Sequence, residues 1–177
     1  ERHLPVQSTI TNVASFSAGC DYRSYVVKTD GSLWRTNSNE TSGWEQMVDA
    51  NVTAIESSGG HAVFTKTDGS LWSMGKNASG QLGDGTLVER DDPVQVVDSG
   101  VISAAAGEYH TIFAKADGSL WAMGSNSYGQ FGTGETGSPK RPVEVLPSGV
   151  AAASSTIDGV SLILKSDGAL LWHGAGS

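Results

Sequence analysis

Cysteine is almost missing from this chain: Cys20 stands alone. One thiol excludes an intrachain disulfide and a cysteine-rich zinc set. A buried inert thiol is the leading reading, an interchain disulfide the alternative, and neither assigns a compartment. Positive charge is also scarce, with 11 Lys and Arg against 19 Asp and Glu, a formal net charge of −8. Phosphate binding needs clustered Lys and Arg, so no nucleic-acid partner is expected. The only adjacent basic pair, Lys140-Arg141, reads as solvated loop charge, as do Arg2 and His3. Long hydrophobic runs are absent; Val26-Val27 and Ile112-Phe113-Ala114 are typical, so no membrane insertion is expected. No signal peptide is legible, and Glu1 in place of Met fits removal of a leader or tag.

What is abundant is glycine, 23 of 177 residues, against only 17 % charged residues. That balance fits a turn-rich all-β chain, long enough to bury a sizeable core. Its ordering feature is a repeated phrase. Asp-Gly-Ser-Leu-Trp occurs at Asp30–Trp34, Asp68–Trp72 and Asp117–Trp121, with a weaker copy, Asp-Gly-Ala-Leu-Leu-Trp, at Asp167–Trp172. The Asp residues are spaced by 38, 49 and 50 positions, the period of a repeat architecture. Asp-Gly supplies a tight hairpin turn, and Leu-Trp begins the return strand.

Aligning on Asp-Gly divides a single repeat domain, 1–177, into four units: 4–43, 44–92, 93–141 and a truncated 142–177. In the third, Pro93–Val97 is a short extended segment. Val101–Gly107 is a run of small residues suited to a crowded inner strand, and Tyr109–Lys115 an alternating strand. Leu120–Gly124 and the glycine-rich Gly129–Gly134 follow the turn. The second unit matches it nearly position for position. In both, Leu and Trp are neighbours on a strand and therefore face opposite sides, with Trp34, Trp72 and Trp121 expected between repeats. Trp44 falls outside this register and is expected to be exposed.

These residues resemble the regulator of chromosome condensation repeat, whose units form the blades of a β-propeller. The resemblance rests on Gly107-Glu108-Tyr109-His110, on Asp-Gly-Ser-Leu-Trp, and on Gly75–Gly83 and Gly124–Gly132, which follow Gly-x-Asn-x-x-Gly-Gln-Leu-Gly with Phe131 for Leu in the second. It covers nearly the whole chain. The outer units depart from it. Arg23 and Val160 stand at the histidine position, the first unit lacks the Gly-Gln-Leu-Gly segment, and Leu171 takes the tryptophan position so that Trp172 changes face. Degenerate end units are expected of repeat arrays.

Members of this family typically close with about seven blades. Four units leave three arrangements open: a small four-bladed ring, a head-to-tail homo-oligomer or open assembly, and a piece of a longer propeller with exposed edges. Leu4-Pro5-Val6-Gln7 resembles Pro93–Val96 and Pro142–Val145, which makes Leu4, Pro5, Val6 and Gln7 a candidate outer strand for the truncated fourth unit.

The chain offers little chemistry. His61 and His110 occupy equivalent repeat positions, which points to hydrogen bonding between strands rather than catalysis. No spacing suggests a metal set, the Asp-Gly pairs lack a dense carboxylate loop, and the glycine-rich segments are followed by no Lys-Ser/Thr. No cofactor and no enzymatic activity are expected. Asn39, Asn51 and Asn77 lie in Asn-x-Ser/Thr sequences, but turn formation accounts for repeated asparagines better than glycan attachment.

The expected function is therefore a non-enzymatic protein-binding and assembly module, presenting the loops that precede each second strand. Asp21, Tyr22, Glu108, Tyr109 and Asp158 are the candidate binding residues on those loops. The resemblance also implies two further precedents. Secreted bacterial propellers present aromatics from such loops to inhibit enzymes, and the founding member performs guanine-nucleotide exchange on a small GTPase with chromatin. The acidic composition and short chain disfavour the second. A structural, self-assembling subunit is the alternative, and the family impression points to an extracellular or cell-surface setting.

Overall fold

The computed structural model describes residues 8–19, 23–36, 43–156 and 158–174. Among them every regular element is a strand, and the strands form four antiparallel sheets in chain order. The first sheet holds β1 (Val13–Ala18), β2 (Ser24–Lys28), β3 (Leu33–Thr36) and β4 (Trp44–Val48). The second holds β5 (Val52–Ser58), β6 (His61–Lys66), β7 (Leu71–Gly75) and β8 (Arg90–Val97). The third holds β9 (Val101–Ala106), β10 (His110–Lys115), β11 (Leu120–Gly124) and β12 (Val143–Leu146). The fourth has β13 (Val150–Ser155), β14 (Val160–Lys165) and β15 (Leu170–Gly174), three strands among the described residues. Each sheet is an up-and-down meander in which strands consecutive in the chain pair antiparallel. The sheet frame is offset from the repeat frame read in the sequence: the segments that open sequence units, such as Pro93–Val97, lie in the outer strand of the preceding sheet.

Packing follows from strand alternation. Leu71 is fully buried toward the third sheet with Val101, Phe113 and Met123, while its neighbour Trp72 packs back toward Tyr25, Val27 and Leu33 of the first. One sheet later Leu120 faces the fourth sheet with Val150 and Ile163, and Trp121 faces back toward Leu71. Three hydrophobic clusters thus join sheets one to two, two to three and three to four, and no such cluster joins the fourth to the first among the described residues. Trp72 and Trp121 sit between sheets as expected, stacked on Phe64 and Phe113 with ring centroids 6.2 and 6.4 Å apart. Trp34 lies on the outward face of the first sheet. Trp44 corrects the exposed reading: it is half-buried, and its indole N–H donates to Ser8 Oγ at 3.0 Å.

The Asp-Gly turn binds more than its own hairpin. Backbone amides of Val52, Val101 and Val150 donate to the carbonyls of Gly31, Gly69 and Gly118 in the preceding sheet, at 2.9–3.0 Å. In return Thr67, Ala116 and Ser166 donate to Asn51, Gly100 and Gly149 at the start of each inner strand of their own sheets. These turns therefore clasp each sheet to the next. Near the inner edge, Ser17 Oγ meets Ser57 Oγ at 2.9 Å, and Ser103 Oγ donates to the Ala153 carbonyl at 3.1 Å, so small residues let the inner strands approach closely.

Candidate functional site

Strand direction sets two ends of the array. The Asp-Gly turns lie at one end. At the other lie the connections between first and second strands and the glycine-rich connections between third and fourth strands. The second end is the candidate recognition surface.

Its scaffold is rigid and buried. Asn77 accepts from the Leu82 amide at 3.0 Å through Oδ1, and its Nδ2 donates to the Thr86 and Val88 carbonyls at 3.2 and 3.1 Å. Asn126 repeats the pattern, accepting from Phe131 N at 2.8 Å and donating to the Glu135 carbonyl at 2.7 Å. Gln81 and Gln130 cap the same loops by accepting from Ser79 and Tyr128 amides. Buried Asn77 is thereby committed to turn bonds. Leu82 and Phe131, from the Gly-Gln-Leu-Gly segments, are driven into the core. Gly83 needs its positive φ of 74°, and a Cβ there would meet the Met123 sulfur at 2.2 Å. Asp84 feels burial, which opposes its charge, but hydrogen bonds from Thr86, Arg90 and Asn77 outweigh it and hold the carboxyl below its usual range.

The histidines tie sheets together beneath this surface. His61 Nε2 lies 2.9 Å from Thr111 Oγ1, whose hydroxyl donates to the Gln81 carbonyl at 2.9 Å. A hydroxyl has one proton, so Nε2 carries the proton of the imidazole and donates to Thr111. His110 Nε2 meets Ser155 Oγ at 2.8 Å and Ser161 Oγ at 3.2 Å in the next sheet. Burial, then the neighbouring histidine, pushes His61 down to about 3 and His110 down to about 4. Both bonds run between sheets rather than between strands of one sheet, which refines the sequence expectation. Among the described residues no three His, Cys, Asp or Glu side chains converge in a metal-holding cluster.

On the exposed layer, Tyr109 is 47 % exposed and half-buried Glu108 stands beside it. The hydrogen bond with Glu108 and its charge push the Tyr109 phenol up, against a smaller opposing effect of Lys76. The loop is fixed from below: Ser125 N donates to the Tyr109 carbonyl at 2.8 Å, and Gly59 lies so close to the Glu108 backbone that a Cβ would collide with it. Asp158 is exposed in the equivalent connection of the fourth sheet. Asp21 and Tyr22 lie outside the described residues, as do Leu4, Pro5, Val6 and Gln7 and the lone Cys20. Sequence reasoning missed Tyr128, 72 % exposed on the neighbouring loop of the same end. The signal was available, since Tyr128 aligns with Ser79 of the second unit. Arg35 was also missed. It stands where the middle sheets carry Ser73 and Ala122, and its guanidinium pairs with Glu45 at 2.9 Å.

A shallow open groove of about 430 Å³ lies at the other end, lined by Val96–Ser99, Phe113, Lys115 and Trp121. Lys115 covers the Trp121 ring there at 5.0 Å, as Lys66 and Lys28 cover Trp72 and Trp34 at 4.3 and 4.4 Å. The groove is the repeat's own stacking arrangement, with no reactive group aimed into it.

Comparison with known proteins agrees with this geometry. The regulator of chromosome condensation (RCC1) repeat is matched at residues 68–114 and 117–156 by one family model and at 52–81 and 101–130 by a second. Together these run from residue 52 to 156, more than half of the chain. No curated relative matches the sequence. Among solved structures, human WBSCR16 is similar with a TM-score of 0.77 at 21 % identity, over 92 % of this chain and 47 % of that one. Yeast RCC1 (Prp20), in its complex with Kap60, gives 0.74 at 20 % identity over 98 % of this chain and 46 % of that one. Prp20p from Saccharomyces cerevisiae, described with its binding to Gsp1p and histones, gives 0.70 at 13 % identity over 84 % and 42 %. The chain thus spans about half the length of the structures it matches. With the repeat signature present and its strands paired as four successive antiparallel sheets, this chain belongs to the regulator of chromosome condensation (RCC1) repeat family and folds as β-propeller blades.

Proposed function

We propose that this chain is a non-catalytic protein-interaction module whose recognition surface is the loop end carrying Glu108, Tyr109, Tyr128 and Asp158. The observation that carries the reading is Tyr109. It is a large, half-exposed aromatic beside a carboxylate, on a loop held by buried backbone bonds. Tyrosine offers broad contact area at low entropic cost, and a pre-ordered loop loses little freedom on binding. Protein binding by Prp20, to Kap60 in one structure and to Gsp1p and histones in another, supports the class of partner. The chain's own charge of −8 favours partners with a basic contact surface. Guanine-nucleotide exchange is not part of this reading, because a net charge of −8 does not suit an exchange factor that works on chromatin.

A photo-crosslinking amino acid placed at Tyr109, and separately at Thr67, exposed at the opposite, Asp-Gly end, as a control, tests the reading in cell extract from the source organism. Discrete adducts are expected at position 109, and Glu108→Lys together with Tyr128→Ala should reduce them by more than about tenfold. Equal adduct patterns at both positions would sink the reading.

A further inference from the structure

Asp-Gly occurs six times in this chain, at Asp30, Asp68, Asp84, Asp117, Asp158 and Asp167. The dipeptide is open to an uncatalysed reaction, because glycine has no side chain to shield its amide nitrogen from the aspartate carboxyl. In five of the six copies the structure ties both reacting groups. The carboxylate accepts the amide two residues on, from Ser32, Ser70, Thr86, Ser119 and Ala169, at 2.8–3.0 Å. The glycine amide is committed as well. Gly31, Gly69, Gly118 and Gly168 donate to the lysine carbonyl three residues back at 2.9–3.0 Å, and Gly85 donates to the Lys140 carbonyl at 2.8 Å.

Asp158-Gly159 is the exception. Its glycine amide donates to the Thr156 carbonyl, but at 3.3 Å, the longest such bond of the six. The amide that would hold the carboxylate belongs to Val160, and Thr156 Oγ1 accepts it instead at 3.3 Å. The Asp158 side chain is exposed and accepts no hydrogen bond among the described residues. The surroundings differ in the same direction. A Cβ on Gly31, Gly69 or Gly118 would meet a backbone nitrogen at the start of the next sheet at 2.7–2.9 Å, so those turns rotate only by moving a sheet. Gly159 is buried, but a Cβ there would meet the Gln130 side chain at 3.4 Å, which can swing aside. Gly168 meets nothing within 4 Å, so what sets Asp167 apart from Asp158 is its bound carboxylate.

We propose that Asp158-Gly159 is a self-modification site, at which the folded chain isomerises aspartate to isoaspartate. Gly159 N attacks Asp158 Cγ. The N–Cγ bond forms, the nitrogen gives up its proton, Cγ gives up a carboxyl oxygen, and the two leave as water. The product is a cyclic succinimide, and water then adds to either ring carbonyl. Opening at Cγ restores aspartate. Opening at the Asp158 backbone carbonyl breaks its bond to Gly159 N and leaves isoaspartate, with the chain running through Cβ and Cγ and the α-carboxylate as the side group. The water lost is regained, and no other reactant is consumed. In the other five copies both groups must first be released, so the reaction waits on local opening. Expulsion of the oxygen also requires a protonated carboxyl, and hydrogen bonds from Ser32, Ser70 and Ser119 hold Asp30, Asp68 and Asp117 below their usual range. Isoaspartate adds a methylene to the backbone just before β14, so the loop end changes shape as the protein ages. The proposal goes beyond the loop-end reading, since the chemistry holds whether or not that surface binds a partner.

Peptide mapping of the folded 177-residue chain, aged for several weeks at neutral pH in heavy-oxygen water, tests it. Each passage through the succinimide leaves a heavy oxygen on the residue, and electron-transfer fragmentation separates isoaspartate from aspartate. Uptake at Asp158 is expected to be at least about tenfold faster than at any of the other five. In urea, which releases all six turns, the rates should converge. Asp158→Glu sets the carboxyl a carbon further from Gly159 N, and should abolish uptake in that peptide alone while the circular dichroism of the chain stays unchanged. Uptake at Asp167 as fast as at Asp158, no uptake at Asp158 in the folded chain, or the same ranking of the six sites in urea would overturn the proposal.

Discussion

His61 and His110 look catalytic in isolation, and the structure commits both to hydrogen bonds between sheets. Each ring spends Nε2 on a hydroxyl of the next sheet, and each Nδ1 is buried, at His110 without a hydrogen-bond partner and at His61 with only the Ser58 backbone to oppose the effect of burial. A second proton would place a charge at that buried nitrogen, which explains values of about 3 and about 4 against an ordinary 6.5. The unfolded chain takes up protons that the folded chain refuses. Stability is therefore complete above pH 6.5 and declines as pH falls from there toward the folded values, by about 1.4 kcal/mol per pH unit for each histidine. Urea unfolding between pH 7.5 and 4.5 should show this decline, and a His61→Asn, His110→Asn double variant should flatten it. The turn aspartates Asp30, Asp68 and Asp117 are held below their usual range by hydrogen bonds from Ser32, Ser70 and Ser119, so their loss comes at lower pH. An equally steep decline in the double variant would remove the histidines from the explanation.

The Asp-Gly-Ser-Leu-Trp phrase is a complete hairpin device. In its three full copies the Asp carboxylate accepts from the Ser amide at 2.9 Å, and the Ser hydroxyl accepts from the Trp indole at 2.8–2.9 Å. In the fourth copy Ala169 replaces Ser, so Asp167 keeps only the amide bond, and Trp172 is on the other face. The glycine does a second job that its turn alone does not reveal. Gly118 and Gly168 share a left-handed φ, 83° and 87°, so alanine strains both turns by about 1 kcal/mol. Only at Gly118 would the new Cβ also press on the next sheet, 2.9 Å from Gly149 N. Gly118→Ala is expected to lower unfolding free energy by at least about 1 kcal/mol more than Gly168→Ala. Urea midpoints measured below any association concentration decide this; equal losses would mean that the clasp contributes nothing.

Because the array is a line of nearest neighbours, stability is not spread evenly along it. β6 and β10 are covered on both faces by adjoining sheets, and every residue but the terminal Lys of each is buried. β14, covered on one face, alternates with half-buried and exposed positions. Hydrogen exchange on dilute protein should find β6 and β10 slowest and β14 and β15 faster by a factor of ten or more, about 1.4 kcal/mol of opening free energy. Uniform protection across all four sheets would argue that the end faces are covered even in dilute solution.

The repeat period, the strand identities, the Leu–Trp alternation and the divergence of the end units were all legible in the order of residues. They depend on local turn chemistry and on a side-chain period of two, which a single chain displays directly. The placement of Tyr109, Glu108 and Asp158 on connections between first and second strands was legible for the same reason, as variable positions in an otherwise repeating pattern. The offset between sequence unit and sheet was not legible, since which neighbour an outer strand pairs with is decided by hydrogen bonds across space. Nor was the role of Gly31, Gly69 and Gly118 as clasps, or of Thr111, Ser155 and Ser161 as histidine partners in the next sheet. These depend on contacts between residues about 20 to 50 positions apart, and only the stacking of one sheet on the next brings such residues within a hydrogen bond of each other.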